Sequence, residues 1–273
     1  LAWGPEGTVF EVTNGDLQKN SMDIFGYSYM DDAMLPLREL FLYAKTAYLY
    51  RLTGTTTKAV AQLGSATFAT AKYGGSRGNA MRLVISANVD TPSAFDVKIY
   101  MGDTLVDEQI GVATAADLVN SNFATFSPDA TLEVTAGVNF TGGGDGTISG
   151  TAWQAALDAF EAYSFNTLGC PTDDETTKGL FVQYTKRMRD EVGAKFQLVG
   201  HKIPNADYEG VISVENDVSG YPDSVLGMGA FGLVYWMTGA EAGCEVNRSC
   251  TNKQYDGELT VNTVYTQKQL EDA

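Results

Sequence analysis

Residues Phe165–Gln197 read FNTLGCPTDDETTKGLFVQYTKRMRDEVGAKFQ, and the fold is decided by how this stretch parses. Phe165–Cys170 is a short apolar run predicted as a buried strand. Thr172 and Glu175 stand at capping-box spacing. Asp173 and Asp174 add negative charge where a helix N-terminus is positive. Leu180, Tyr184 and Met188 then fall on one stripe. Gly193 ends that helix after Lys186, Arg187 and Arg189, cations that suit its C-terminal half. Phe196–Val199 opens a second strand.

Working outward, the same alternation continues. Trp153, Ala156, Leu157, Phe160 and Tyr163 share one helical face. Gly210–Val214 is a further strand and Phe231–Ala242 a further helix. Helices and strands in turn imply a mostly parallel sheet covered on both faces. The beginning of the chain is mixed. Val9–Val12 and Ile24–Tyr29 read as strands. Asp31 or Asp32 caps a helix with Pro36 in its first turn and Leu37, Leu40, Phe41 and Ala44 on its apolar face. Ala47–Leu52 is a buried strand.

Between Thr55 and Gly146 the texture changes. Ala66–Ala71, Met81–Ala87, Phe95–Met101 and Thr104–Gln109 are short strands separated by turns at Gly74-Gly75, Asn88–Pro92 and Gly102-Asp103. That spacing suggests an antiparallel sandwich or barrel. Thr114–Asn120 reads as a short helix and Thr141–Gly150 (TGGGDGTISG) as a flexible joint. The expected organisation is an α/β body with an inserted β-domain: residues 1–54 begin the body, 55–146 are the insert, and 147–273 are the main part.

Composition fits this picture. A chain of 273 residues with 44% hydrophobic content is long enough for two domains and rich enough to bury them. Its 18 Lys and Arg against 34 Asp and Glu give a net charge of −16. Such a surface repels phosphates and anionic headgroups, which argues against a nucleic-acid partner. No apolar run approaches the roughly 20 residues of a membrane-spanning helix, so direct membrane insertion is not expected. Leu1 is not followed by a basic and then an apolar region, so no signal peptide is expected. The three cysteines, Cys170, Cys244 and Cys250, have no metal-ligand spacing. A Cys244–Cys250 disulfide would need an oxidising compartment, and nothing in the chain marks one.

The reactive candidates are few. His201, the single histidine, would have to serve any His-based triad or metal site. No G-x-S-x-G elbow accompanies it, and the reading is a partly exposed histidine at a strand end. Gly227–Gly232 (GMGAFG) matches a dinucleotide fingerprint in letters. Turn-forming Ser219–Asp223 stands where the fingerprint needs a strand, so these are loop glycines. Thr172–Glu175 is explained by capping. Thr141–Gly146 lacks the Lys-Ser/Thr of a P-loop and the full ligand set of a calcium loop. Asn139 and Asn247 open sequons by pattern only. No cofactor and no metal are expected. Lys186, Arg187, Arg189 and Lys195 form a basic cluster in an acidic chain. It is either a solvated helix face paired locally with Asp190 and Glu191, or an intersubunit contact that sets register and partner choice.

In order and spacing, Phe165–Gln197, Asp207–Asn216 (DYEGVISVEN), Leu233–Gly239 (LVYWMTG) and Asn247–Val264 resemble the tail sheath proteins of contractile phage tails and phage-like bacteriocins. Trp3-Gly4-Pro5, Asp16–Phe25, Tyr48–Leu52 and Ala71–Asn79 (AKYGGSRGN) extend the resemblance over nearly the whole chain. It implies an α/β domain of subtilisin-like fold without the catalytic triad, carrying an inserted β-sandwich. It implies a structural protein of the virion tail, not an enzyme, that forms hexameric rings stacked around a tail tube and meets baseplate proteins. Terminal arms add strands to neighbouring copies, and contraction moves the subunits between two packings. The family's N-terminal arm and C-terminal domain look absent, so this chain is expected to be a trimmed subunit, monomeric or weakly associating in isolation. Two other classes fit less of the sequence: a surface adhesin binding carbohydrate through the Thr/Gly-rich β-domain, and a subtilisin-like hydrolase.

Overall fold

Side chains that take up free backbone N–H groups decide where the first helices begin. Thr13 Oγ1 donates to Asp16 Oδ2 (2.6 Å) and accepts from Asp16 N (3.2 Å). This reciprocal cap starts a helix. Asp31 accepts from Ala33 N (2.9 Å) and opens a 3-10 turn that leads into the next helix, with Pro36 in its first turn. In the computed structural model, which describes residues 2–271 apart from 205, 224, 226 and 246, the elements run as follows. First come β1 (Val9–Thr13), α1 (Asn14–Phe25), α2 (Leu35–Phe41) and β2 (Thr46–Tyr50). Then come β3 (Lys58–Leu63), β4 (Ala66–Gly74), β5 (Met81–Ala87), β6 (Phe95–Met101), β7 (Thr104–Val112), β8 (Ala124–Phe126) and β9 (Thr135–Asn139). The rest alternates: α3 (Gly150–Phe160), β10 (Thr167–Cys170), α4 (Glu175–Arg187), β11 (Gln197–His201), β12 (Val211–Val214), β13 (Val218–Ser219), α5 (Leu233–Ala242), β14 (Thr260–Val261) and α6 (Gln267–Glu271).

The chain divides into two compact units. One comprises Leu1–Gly7, Asn20–Gly26 and Arg51–Ala152. It holds two antiparallel sheets, β3-β4-β8 and β7-β6-β5-β9. Met81, Leu83 and Ile85 of β5 alternate inward and meet Val97 and Ile99 of β6 and Phe68 of β4 in one core with Phe123 and Phe140. Trp3 closes that core edge-on to Tyr73 and stacked on Phe123, with ring centroids 5.3 and 6.2 Å away. A buried guanidinium ties the loops: Arg51 donates to Gly4 O and Gly74 O, each at 2.9 Å, and pairs with Glu6 at 3.3 Å. Gly75 beside it sits at φ +126°, and a Cβ there would lie 2.5 Å from Ala2 O.

The other unit comprises Thr8–Lys19, Tyr27–Tyr50 and Trp153–Ala273. Its centre is the parallel sheet β10-β11-β12, with the antiparallel pairs β1–β2 and β13–β14 beside it in the chain's order. Leu198 and Val199 are neighbours on β11 and so face opposite ways. Leu198 joins Leu168, Phe181 and Tyr184 of the α4 side, and Val199 joins Leu233, Val234 and Trp236 of α5. The sheet is therefore covered on both faces.

Several sequence expectations change; β2, for one, is half-buried over Ala47–Tyr50 where a buried strand is expected. Ile24–Tyr29 is not a strand, because the Thr13 cap starts α1, whose buried Leu17, Ser21 and Phe25 run at helical spacing to Gly26 at φ +71°. Thr114–Asn120 yields a single 3-10 turn, Ala115–Asp117, closed by a Thr114–Asp117 capping box before Leu118 goes extended. The segment Thr141–Gly146 is not free: Thr141 pairs with Val60 and Gly144 with Thr57. At α4 the cap is Asp174, whose carboxylate accepts from Thr177 N (2.8 Å) and Thr177 Oγ1 (2.7 Å), while Thr172 Oγ1 accepts from Asp174 N (3.1 Å). Pro171 and Thr172 thus stay outside the helix, and Glu175 becomes its first residue.

Candidate functional site

The four cations of the basic cluster are dispersed by the end of α4, which widens into a π-turn over Met188–Val192 before Gly193 at φ +84°. Arg187 bonds Glu161 just past α3 and packs over the ring of Tyr184. Arg189 is turned the other way. Its guanidinium donates to Phe196 O and to Glu209 Oε1 (2.9 Å) and lies over Tyr208, 5.9 Å from the ring centroid. Lys186 covers the same ring at 5.3 Å, and the Tyr208 hydroxyl donates to Asp190 (2.7 Å). Lys195 is exposed in the loop before β11. The structure brings Lys186 and Arg189 together around Tyr208, sends Arg187 to Glu161, and places Lys195 with Arg189 on the wall of one open groove. The expected local pairs with Asp190 and Glu191 are replaced by Glu161 and Glu209, because the widened turn rotates Arg189 away from its sequence neighbours.

His201 is buried, 3% exposed, not partly exposed as its strand-end position suggests. It ends β11, and the loops after β10 and β12 meet over it. Its Nδ1 lies 2.7 Å from Asp173 Oδ1 and its Nε2 2.9 Å from Asp217 Oδ1. Lys202 Nζ donates to the same Asp217 oxygen (2.6 Å), and buried Lys178 reaches to 3.8 Å from Asp173. The Lys202 bond, with the His201 contact adding to it, holds the Asp217 carboxyl below its ordinary value. Each ring nitrogen thus faces a carboxylate oxygen, and the imidazole is clamped between the two loops. Its ring partners are both carboxylates and neither is a nucleophile. The nearby Ser213 hydroxyl donates to Glu215 (2.6 Å) and accepts from Ile203 N (3.0 Å). The cluster fastens loops.

A second polar clasp escaped the sequence reading entirely. Arg38 on α2 makes a two-pronged bond to Glu258, at 2.7 and 2.9 Å, and its Nη1 donates to Tyr29 O and Asp31 O. The next residue, Glu39, is fully buried and accepts from Glu258 N (2.6 Å) and the Tyr255 hydroxyl (2.9 Å). Burial first of all raises the Glu39 carboxyl above its ordinary value. Trp236 Nε1 and the Tyr43 hydroxyl both bond Asp256. Between them Gly257 lies directly against the Glu39 carboxylate, where a Cβ would collide with it. More than two hundred residues separate Arg38, Glu39 and Tyr43 from Glu258, Tyr255 and Asp256 along the chain, and no local pattern links them.

Gly227–Gly232 is a loop, as its letters without a strand imply. Gly227 at φ +74° accepts from the Tyr235 hydroxyl (2.6 Å), and a 3-10 turn, Ala230–Gly232, leads into α5. Among the described residues no group of three or more His, Cys, Asp or Glu side chains is placed to hold a metal, and no helix is long and apolar enough to cross a membrane.

Each of the two units has its own core, and comparison with known proteins gives the family. Residues 1–52 match the tail sheath protein Gp18 domain III N-terminal region, 54–145 the phage tail sheath protein beta-sandwich domain, and 146–273 the phage tail sheath protein central domain. The chain belongs to the phage tail sheath family, a family of structural proteins and not of enzymes. A sheath tail protein from Desulfitobacterium hafniense superposes with a TM-score of 0.89 at 37% identity, over 100% of this chain and 64% of that one. One from Listeria innocua gives 0.81 at 32%, over 100% and 61%. The phage-like element PBSX protein XkdK and the protein YqbK, both of Bacillus subtilis (strain 168), are each 31% identical over 95% of this chain. The chain spans 58% of the length of either.

Proposed function

We propose that this chain is part of a subunit of a contractile tail sheath. Copies polymerise as stacked hexameric rings around a tail tube, anchored on baseplate proteins, and contract to drive the tube through a cell envelope. The particle is a phage tail or a phage-like bacteriocin or injection system, assembled in the host cytoplasm. The observation that carries this reading is the order of the three tail-sheath matches, which follow one another from one end of the chain to the other. In this reading the unit built on β10-β11-β12 is a subtilisin-like scaffold without a triad, and residues 55–146 are its inserted sandwich. The clamped His201 supports a scaffold whose histidine is structural.

The basic cluster keeps a place in the proposal in altered form. Arg187 and Arg189 are engaged within the chain, whereas among the described residues neither Lys186 nor Lys195 forms an ion pair. Those two lysines are the side chains offered to an acidic neighbouring copy. The test is negative-stain microscopy of the whole gene product, alone and as a Lys186→Glu/Lys195→Glu double variant. Tubes or stacked rings of uniform width from the parent protein support the sheath reading, and dispersed particles at high concentration refute it. Unchanged tubes from the double variant would remove the lysines from the interface and leave the sheath reading standing.

A further inference from the structure

The segment after α5 leaves the helix and returns to it with a cysteine at each end. Cys244 follows the C-cap Gly243, and its N–H bonds Glu241 O (3.2 Å). Cys250 comes back to the last turn of the helix, where its thiol donates to Ala240 O (3.4 Å), so both cysteines lie at the same helix end. Both cysteines are free and half-buried, and Cys170 lies buried in the core on β10. Cys244 also lines an open groove of about 400 Å³ whose walls carry Arg189, Lys195 and Arg248 beside Glu241 and Glu245. Arg248 is bonded to Glu245 at 3.1 Å, and the buried Arg189 Nε has no partner among the described residues. Of the groove's three cations, Lys195 alone forms no ion pair among the described residues, and it is the charge offered to a dissolved anion on the wall that Cys244 shares.

We propose that Cys244 and Cys250 are a dithiol site, converted to an intramolecular disulfide by a small anionic disulfide of the glutathione class. The Cys244 thiolate attacks one sulfur of the oxidised glutathione, whose S–S bond breaks, and one glutathione thiolate leaves. Cys250 then loses its proton to solvent and attacks the Cys244 sulfur, releasing the second glutathione thiolate. Two protein thiols are oxidised, one glutathione disulfide is reduced to two thiols, and no other reagent is needed. Burial, helped by Glu241 and Cys244, pushes the Cys250 thiol up to about 12. The second step is therefore the slow one, and a glutathione adduct accumulates at Cys244 before the bond closes. The described residues between the two cysteines are all exposed, so the bond closes a loop outside the core.

The experiment is exposure of the folded protein to oxidised glutathione, with alkylation of residual thiols at timed points and peptide mapping without reduction. The expected course is an adduct on Cys244 that rises and then decays into a linked Cys244–Cys250 peptide lighter by two hydrogens. Cys170 should become alkylatable only after denaturation. The Cys250→Ser chain should keep the adduct on Cys244, and the Cys244→Ser chain should remain unmodified at Cys250 over the same interval. Both thiols still open to alkylation, or a lasting adduct with Cys250 free in the parent protein, would overturn the proposal. Because the readout is chemical, it is independent of whether the protein forms tubes.

Discussion

Glu39 shows most plainly how a single side chain can set a solution property of this protein. Its carboxyl is buried on α2 and held above its ordinary range by desolvation, against the bonds from Glu258 N and Tyr255 that favour the charged form. A carboxyl whose value is raised on folding binds its proton more tightly in the folded chain than in the unfolded one. Its contribution to stability is complete below the unfolded glutamate value and is lost as pH rises through the raised one. The Glu39→Gln chain lacks that term. Thermal unfolding across the acid-to-neutral range should show the parent losing stability relative to the variant as pH rises. A constant difference, or one of opposite slope, would mean that Glu39 does not titrate as described. The residue scale is also where sequence reading reached least. His201, Asp173 and Asp217 were all visible as letters. By sequence Asp173 belongs to the helix dipole and His201 to a partly exposed strand end, because only the parallel pairing of β10, β11 and β12 brings their loops together.

At the scale of elements the sequence carried more. Met81–Ala87 and Phe95–Met101 match their strands end to end, since alternation of buried and half-buried residues is a local signal that the antiparallel pairing preserves. Helix starts were less legible. Thr172–Glu175 has the letters of a capping box, yet Asp174 takes the role, because its carboxylate reaches both Thr177 N and Thr177 Oγ1. Asp174→Ala should therefore lower the melting temperature measurably, while Thr172→Ala and Glu175→Ala each change it less. Equal losses at Thr172 and Glu175 would restore the other cap. The α2–α5 contact had no local signature. Gly239 of α5 lies against the backbone of Leu40, so close that a Cβ would overlap the Leu40 carbonyl oxygen. Gly239→Ala should cost about 1–3 kcal/mol by overpacking, read from chemical denaturation, whereas helix-favouring Ala at Gly179, where a Cβ meets open space, should cost nothing. A neutral Gly239→Ala would show that the two helices do not approach this closely.

For the whole molecule, the change of texture near Thr55 and again near Gly146 was readable from composition. The finer partition was not. Residues 1–7 and 20–26 go with the β-rich unit, while 8–19 and 27–50 go with the α/β unit. Trp3 and Arg51 explain the first assignment: the indole fills the core beside Phe123, and the guanidinium binds Gly4 O and Gly74 O. Neither tie has a sequence pattern. Two units that each carry a complete core suit a subunit that changes partners without refolding, as the proposed contraction between two packings would require. The most direct measurement is helical reconstruction by cryo-electron microscopy of tubes from the whole gene product, before and after contraction is triggered. The expected result is a long, narrow tube and a short, wide one built from the same repeating subunit, with the His201 clamp and the Arg38–Glu258 clasp intact in both. Repeating subunits that refold between the two states, or a gene product that forms no helical tube, would contradict it.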